Sequence, residues 1–365
     1  MTRALRDSAP GAVLLFLGAC SATSPPAVVV ANPDGGIAPE SCPAGSMPVI
    51  GAADCQPVGW TTCPSGFVPD PSGWGCIDVL PRAPCTGATR EAIGETACHP
   101  IGDCVAPFPP PGATIFVDPT FAVLDATHFA TITSAVAAAP AGAVVAVAAG
   151  RYKESVLVPR AMKIAGRCAA QVIVDGGGTT TSPGIRVTVP GVEVSGLTLS
   201  GQMFGASAGL GSNLVLRDCV LEGNVAMGMF VSMGAVVAVS NCAIRGTLVD
   251  ATGAFGRGIN AQSGAALTLT DSTVSGNRNS GVYLSGSGTK ATLKGVVIRD
   301  TTPNDASDTG RGLVVQLGAS LDLSSSVLFD GGHRQSRSRG GGLRPRNERS
   351  AHVIRHHRHR AQCGR

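Results

Sequence analysis

Six times between residues 192 and 331 the chain repeats a phrase in which apolar and polar residues alternate. The phrases are VEVSGLTLSG from Val192, LVLRDCVLEGN from Leu214, VAVSNCAIRG from Val237, LTLTDSTVSGN from Leu267, ATLKGVVIRD from Ala291 and LDLSSSVLFDG from Leu321. Alternation of period two is the signature of a strand with one face buried. The last apolar positions, Leu199, Leu221, Ile244, Val274, Ile298 and Leu328, follow one another at intervals of 22, 23, 30, 24 and 30 residues. A recurrence in the low twenties with occasional additions means stacked coils. Leucine-rich repeats share the L-x-L-x-x-C-x-L phrase, but they return through a Leu-lined segment. Here the returns, such as VAMGMFVSMGA from Val225, are rich in Gly, Val and Ser. The pattern predicts an all-β chain with a right-handed parallel β-helix over residues 113–332, a rod of roughly 30 Å at about 4.8 Å per coil. Two additions, LVDATGAF from Leu248 and TPNDASDT from Thr302, fall at one place in the coil and are expected to project as loops.

Upstream of the repeats the period changes. FATITSAVAAAP, residues 129–140, sets Ile132 and Val136 one helical turn apart and stops at Pro140, which predicts a short helix capping the open end of the first coil. Next come Gly150, Tyr152 and Glu154 at alternate positions, followed by Val156 and Val158. This stretch resembles the opening of pectinesterases and other pectin-lyase-like proteins over about 60 residues. The resemblance implies the fold of the first coils. Pectinesterases resemble one another further along by paired Asp and Gln on successive coils, polygalacturonases by clustered Asp with Gly-His-Gly, and pectate lyases by Asp-rich calcium sites with Arg. None of these sets is matched here.

Residues 42–104 follow a different rule. Cys42 and Cys55, Cys63 and Cys76, and Cys85 and Cys98 are each 13 positions apart, an internal repeat reinforced by QPVG after Cys55 and HPIG after Cys98. So short a Gly- and Pro-rich segment buries little apolar surface, with Trp60 and Trp74 as its scarce core, and disulfides must hold it. Local pairing is the simplest connectivity, each bridge contributing on the order of 3 kcal/mol. Seven thiols allow other pairings; Cys104 is left over, and its expected partner is Cys168, which would clamp the segment onto the β-helix. With His99 alone and no close-set Cys pair, zinc is not expected. The segment reads as a stalk or interaction module.

Composition agrees with repetitive β structure: 49 Gly, 14% charged and 4% aromatic residues. The net charge of +4 misleads, because residues 333–365 carry ten Arg against one Glu and leave the remainder at −5. A nucleic-acid partner is therefore not expected. Residues 1–19, with Arg3, Arg6 and an apolar run from Ala12 to Leu17, read as a signal peptide. The LGAC ending at Cys20 resembles a bacterial lipobox, which implies a lipid on Cys20 and an outer-membrane or cell-surface lipoprotein. Residues 20–41 have the Pro, Ala and Ser bias of a tether. After Gly332 the alternation stops without a cap; residues 333–365, including His356, His357 and His359, are read as a disordered tail that a shift of reading frame would account for.

Candidate chemistry is sparse. No His lies between His128 and His333, so the coils hold no His base. Asp218 and Asp271 share a coil position and read as turn carboxylates rather than an acid/base pair. Cys219 and Cys242 sit at equivalent inward places on adjacent coils, about 4.8 Å apart, a separation that permits a disulfide, and read as two reduced thiols acting as small apolar fillers. In the Gly-led phrases GIRV, GMFV, GINA, GVYL and GLVV the outward residues are Arg186, Phe230, Asn260, Tyr283 and Val314, with Arg257 and Arg311 flanking them. Aromatic rings, an amide and Arg suit a sugar-binding groove. The expected function is a non-catalytic envelope module binding polysaccharide or another surface ligand, without cofactor or metal. A polysaccharide lyase, esterase or hydrolase with an unfamiliar site, and a truncated chain without function, are the alternatives.

Overall fold

The computed structural model describes residues 42–329 apart from positions 44, 50–53, 58–61, 72–74, 179–180 and 307–309, together with the backbone of Ala351–Ile354. Cys20, Trp60, Trp74 and the remainder of the tail lie outside the described residues. Two compact units divide at Val58 and Gly59, inside the Cys-rich segment. In the first, Cys42 is bonded to Cys55 and strand Ser46–Met47 pairs antiparallel with Gln56–Pro57.

The second unit is a three-sided solenoid. Each coil adds a strand in turn to a 10-stranded, a 9-stranded and a 7-stranded sheet. A typical coil runs through Val192–Ser195, Thr198–Ser200 and Phe204–Ala208 before the next begins at Asn213–Arg217. Neighbouring coils pair in parallel, so the phrases stack in register: Val192, Leu214, Val237, Leu267, Ala291 and Leu321 form one column. All but Leu321 are buried, and with Leu199, Leu221, Ile244, Val274 and Ile298 they fill the core. The alternation of the sequence is thus the alternation of inside and outside.

Corners need backbone that L-residues seldom adopt. At the corner between the 10- and 9-stranded sheets, Gly196, Asp218, Asn241, Asp271, Gly295 and Ser325 all have positive φ, from 43° to 67°. Asp and Asn are the non-glycine residues that visit this region most readily. A second corner buries amides that tie coils together. Asn224 accepts from the Gln202 N–H and donates to the Leu199 carbonyl, and Asn277 does the same for Thr247 and Ile244. Buried backbone groups at the bend are thereby satisfied.

The first coil is capped by helix Ile132–Ala138, with Thr131 as N-cap accepting from the Ser134 N–H. Glu154 accepts from the N–H groups of Ile132 and Thr133 at 2.9 and 2.7 Å, so the carboxylate ties the helix start to the second coil. Tyr152 is buried and donates to the Ala148 carbonyl. The Gly150, Tyr152 and Glu154 pattern therefore builds the capped end. At the other end, Ala351–Ile354 pairs antiparallel with Ser326–Phe329.

The two additions do not project separately. They leave the corner between the 9- and 7-stranded sheets and lie on one another, with Asp305 donating its N–H to the Gly253 carbonyl and Asn304 donating to Phe255. Arg278, on the short coil between them, donates to the Pro303 carbonyl. Two polar loops two coils apart lower their cost of ordering by hydrogen-bonding to each other.

Candidate functional site

The 7-stranded sheet carries the Gly-led phrases. Its glycines are required by close approach: a Cβ at Gly228, Gly258 or Gly281 would stand 2.6 Å from a carbonyl oxygen of the next coil. With the coils held that close, Arg186, Ser207, Phe230, Asn260, Tyr283 and Val314 stack in register along the outside. The expected ladder is a column of the fold, with Ser207 as an additional rung.

Its rungs differ in what they can offer a ligand. Arg186 is exposed, and its guanidinium makes no hydrogen bond or ion pair among the described residues. Beside it Phe204 and Phe230 meet with ring centroids 5.4 Å apart, and with Pro183, Leu210 and Met233 they line a cleft of about 320 Å³. Asn260, expected to face outward to a ligand, is fully buried. Its carbonyl accepts from Arg257 at 2.6 Å and its amide donates to Gln262 at 3.2 Å. Arg257 is no simple flank either: its guanidinium lies 3.6 Å above the Tyr283 ring and 5.4 Å from that of Phe255. Burial lowers its pKa, and the neighbouring Tyr283 works against that shift. The stacked cation covers Asn260 and leaves the hydroxyl end of Tyr283 to accept from Gln316 at 2.6 Å. Arg311 is exposed at the end of the face.

Residues 173–351 match the family described as right handed beta helix region. The chain carries a right-handed parallel β-helix. Among solved structures it resembles pectin methylesterase PemA from Erwinia chrysanthemi, at 15% identity and a TM-score of 0.41, over 59% of this chain and 78% of that one. The pectin methylesterase from Aspergillus niger gives 14% identity and 0.38, over 60% and 76%. The carrot pectin methylesterase gives 14% and 0.32, over 59% and 90%. No curated protein sequence matches the chain.

On the β-helix the 9-stranded face is closed. Residues 84–104 lie across it, fixed by the Cys104–Cys168 disulfide and closed locally by Cys85–Cys98, while Cys63–Cys76 closes the loop before. Ile101 packs on Ala169, Val220 and Ala243, and Thr273 donates to the Glu91 carbonyl. Arg245 donates to the carbonyls of Cys85, Gly87 and Thr89 and pairs with Glu222 at 2.9 Å. Arg299 and Glu91, both buried, stand 3.8 Å apart. This segment of the Cys-rich region is a covering built onto the β-helix.

The remaining candidates take structural places. Asp218 accepts from Asn241, which in turn accepts from Arg90 of the covering segment at 2.5 Å. Asp271 holds the same left-handed corner. Among the described residues no group of three or more His, Cys, Asp or Glu side chains converges as a metal site would. Cys219 and Cys242 are free and buried, and burial pushes the Cys242 thiol up, which keeps it protonated and inert. Phe204 and Gln316 were not singled out from sequence. Phe204 precedes the glycine of its phrase and falls in the column of Met227 and Arg257, which only the register reveals.

Proposed function

We propose that this chain is an exported, non-catalytic β-helix that holds polysaccharide along its 7-stranded face and is tethered to the membrane by a lipid on Cys20. The disulfides belong to an oxidising compartment outside the cytosol. The observation that carries the binding assignment is the in-register column from Arg186 to Tyr283. It combines a cleft between two phenylalanines and an uncommitted guanidinium with a tyrosine ring stacked under Arg257. Rings cover the apolar faces of sugars, and guanidinium and amide groups take hydroxyls or carboxylates. The absence of a convergent acid/base pair among the described residues of that face favours holding over cleaving.

The test passes the full-length, oxidised chain over immobilised acidic and neutral polysaccharides and records retention and polymer length. Retention without shortening, lost in Phe230→Ala and Tyr283→Ala, is the expected result. Shortening abolished by Asp218→Asn or Asp271→Asn would replace the binding assignment with an enzyme. For the anchor, incorporation of labelled fatty acid that disappears in Cys20→Ser is expected; no incorporation would leave plain secretion.

A further inference from the structure

Another cleft lies on a different side of the β-helix. Residues 84–86 of the covering segment overhang the corner between the 9- and 7-stranded sheets and enclose an open cleft of about 590 Å³. Its floor is a column of corner glycines on successive coils, Gly201, Gly223, Gly246 and Gly276, with φ of 60° to 62°. A row of residues in the left-handed region without side chains leaves a trough parallel to the solenoid axis.

The groups that face the trough decide what it can hold. Arg245, the cation of its wall, donates to three carbonyls and to Glu222. Arg299, behind Asp300, is buried and donates to that carboxylate at 2.7 Å. Neither guanidinium is left to receive an anion. The carboxylates of Glu222 and Asp300 are 39% and 44% exposed and keep lone pairs toward the cleft. Ser275, also in the lining, is only 5% exposed, and its hydroxyl has no hydrogen-bond partner among the described residues. That hydroxyl is not closed off from solvent, so a ligand in the cleft can take the place of water on it. Two carboxylates without a third ligand do not make a metal site. What remains is a wall rich in acceptors and hydroxyls, with Pro84 and the glycine methylenes as its apolar part.

We propose that this trough is a carbohydrate site for a short, uncharged oligosaccharide. Glu222 and Asp300 accept its hydroxyl protons, Ser275 completes its hydrogen bonding on the bound sugar, and Pro84 lies against an apolar sugar face. The volume falls in the range of small-ligand sites. This site is independent of the 7-stranded face and stands or falls separately from it.

Saturation-transfer NMR and calorimetry with maltotriose, cellotriose and tri-N-acetylchitotriose, on the full-length oxidised chain, test it. The decisive variant is Gly223→Asn. Asn tolerates the left-handed region, and a Cβ at this position meets nothing within 4 Å, so the fold is retained while a side chain enters the trough. At least one of the three sugars is expected to bind, about tenfold more weakly in Gly223→Asn and several-fold more weakly in Ser275→Ala, with Lys294→Ala, exposed on the 10-stranded face, unchanged. Three outcomes would overturn the proposal: no binding of any of the three, binding indifferent to Gly223→Asn, or, with the cationic de-N-acetylated glucosamine trimer run as a fourth probe, binding of that trimer in preference to the neutral sugars.

Discussion

The 9-stranded and 7-stranded faces of this β-helix are built from the same coils, yet their outward residues differ in kind. On the 9-stranded face Val220, Ala243, Thr273 and Val297 are buried, because residues 84–104 lie over that face and demand small or apolar partners. On the 7-stranded face nothing among the described residues covers Arg186, and Phe230 and Tyr283 remain partly exposed. A solenoid exterior is thus differentiated by what rests on it. A covered face spends its outward positions on adhesion, and an open face keeps large aromatic and cationic side chains that adhesion does not require.

The covering is the first thing to break. Cys104→Ser with Cys168→Ser removes a bridge spanning 64 residues, and loop entropy alone predicts a loss of about 4 kcal/mol in urea unfolding. A loss below about 1 kcal/mol would mean that noncovalent contacts hold the segment unaided. Next in size is Arg299→Ala. It leaves Glu91, 1% exposed, without its buried cation, at a cost of about 3 kcal/mol in the same assay. A much smaller cost would show that the Cys85 N–H, 3.1 Å from Glu91, suffices for that carboxylate.

Much of this contrast was readable before the structure, and the part that was not has a physical cause. Period-two alternation identifies which residues of Leu214 to Leu221 point inward, because a strand has only two sides. The thirteen-residue spacing of Cys85 and Cys98, and the Cys104 left over, pointed to bridges that the structure closes. The 129–140 stretch contains the capping helix Ile132–Ala138. What lies over a face is another matter. Arg245 meets Gly87 across 158 positions, and Thr273 meets Glu91 across 182, with no local signal for either. Alternation likewise set Asn260 on the outside without telling that Arg257, three residues earlier on the same strand, lies over it. Sequence pattern fixes direction; exposure depends on neighbours that the pattern does not contain.

The chain has two tyrosines, Tyr152 inside the core and Tyr283 on the open face. Tyr152 is buried, and burial, with the charges of Asp118 and Glu154, raises its pKa well above the ordinary value of 10.0. Below pH 10 the group is neutral in both folded and unfolded chains and imposes no penalty. Above it the unfolded tyrosine ionises while the folded one cannot. Stability then falls by up to about 1.4 kcal/mol per pH unit until the raised folded value is reached. Alkaline difference spectroscopy should show Tyr152 ionising only together with unfolding. Ionisation of both tyrosines in a folded chain would contradict the burial.

The smallest effect on stability should come from the open face. Arg257→Lys keeps the charge but loses the planar group that stacks on Tyr283 and reaches Asn260 at 2.6 Å. A partly exposed cation–π contact is worth about 0.5–1 kcal/mol, so the thermal midpoint should move by only a few degrees. Retention on polysaccharide should fall well beyond that. The stacked guanidinium holds the ring plane of Tyr283 and closes Asn260 from water, so removing it disorders the middle of the column while Arg186 and Phe230 stay in place. If retention tracks stability instead, the open face contributes no recognition of its own, and its aromatic residues are ordinary exterior.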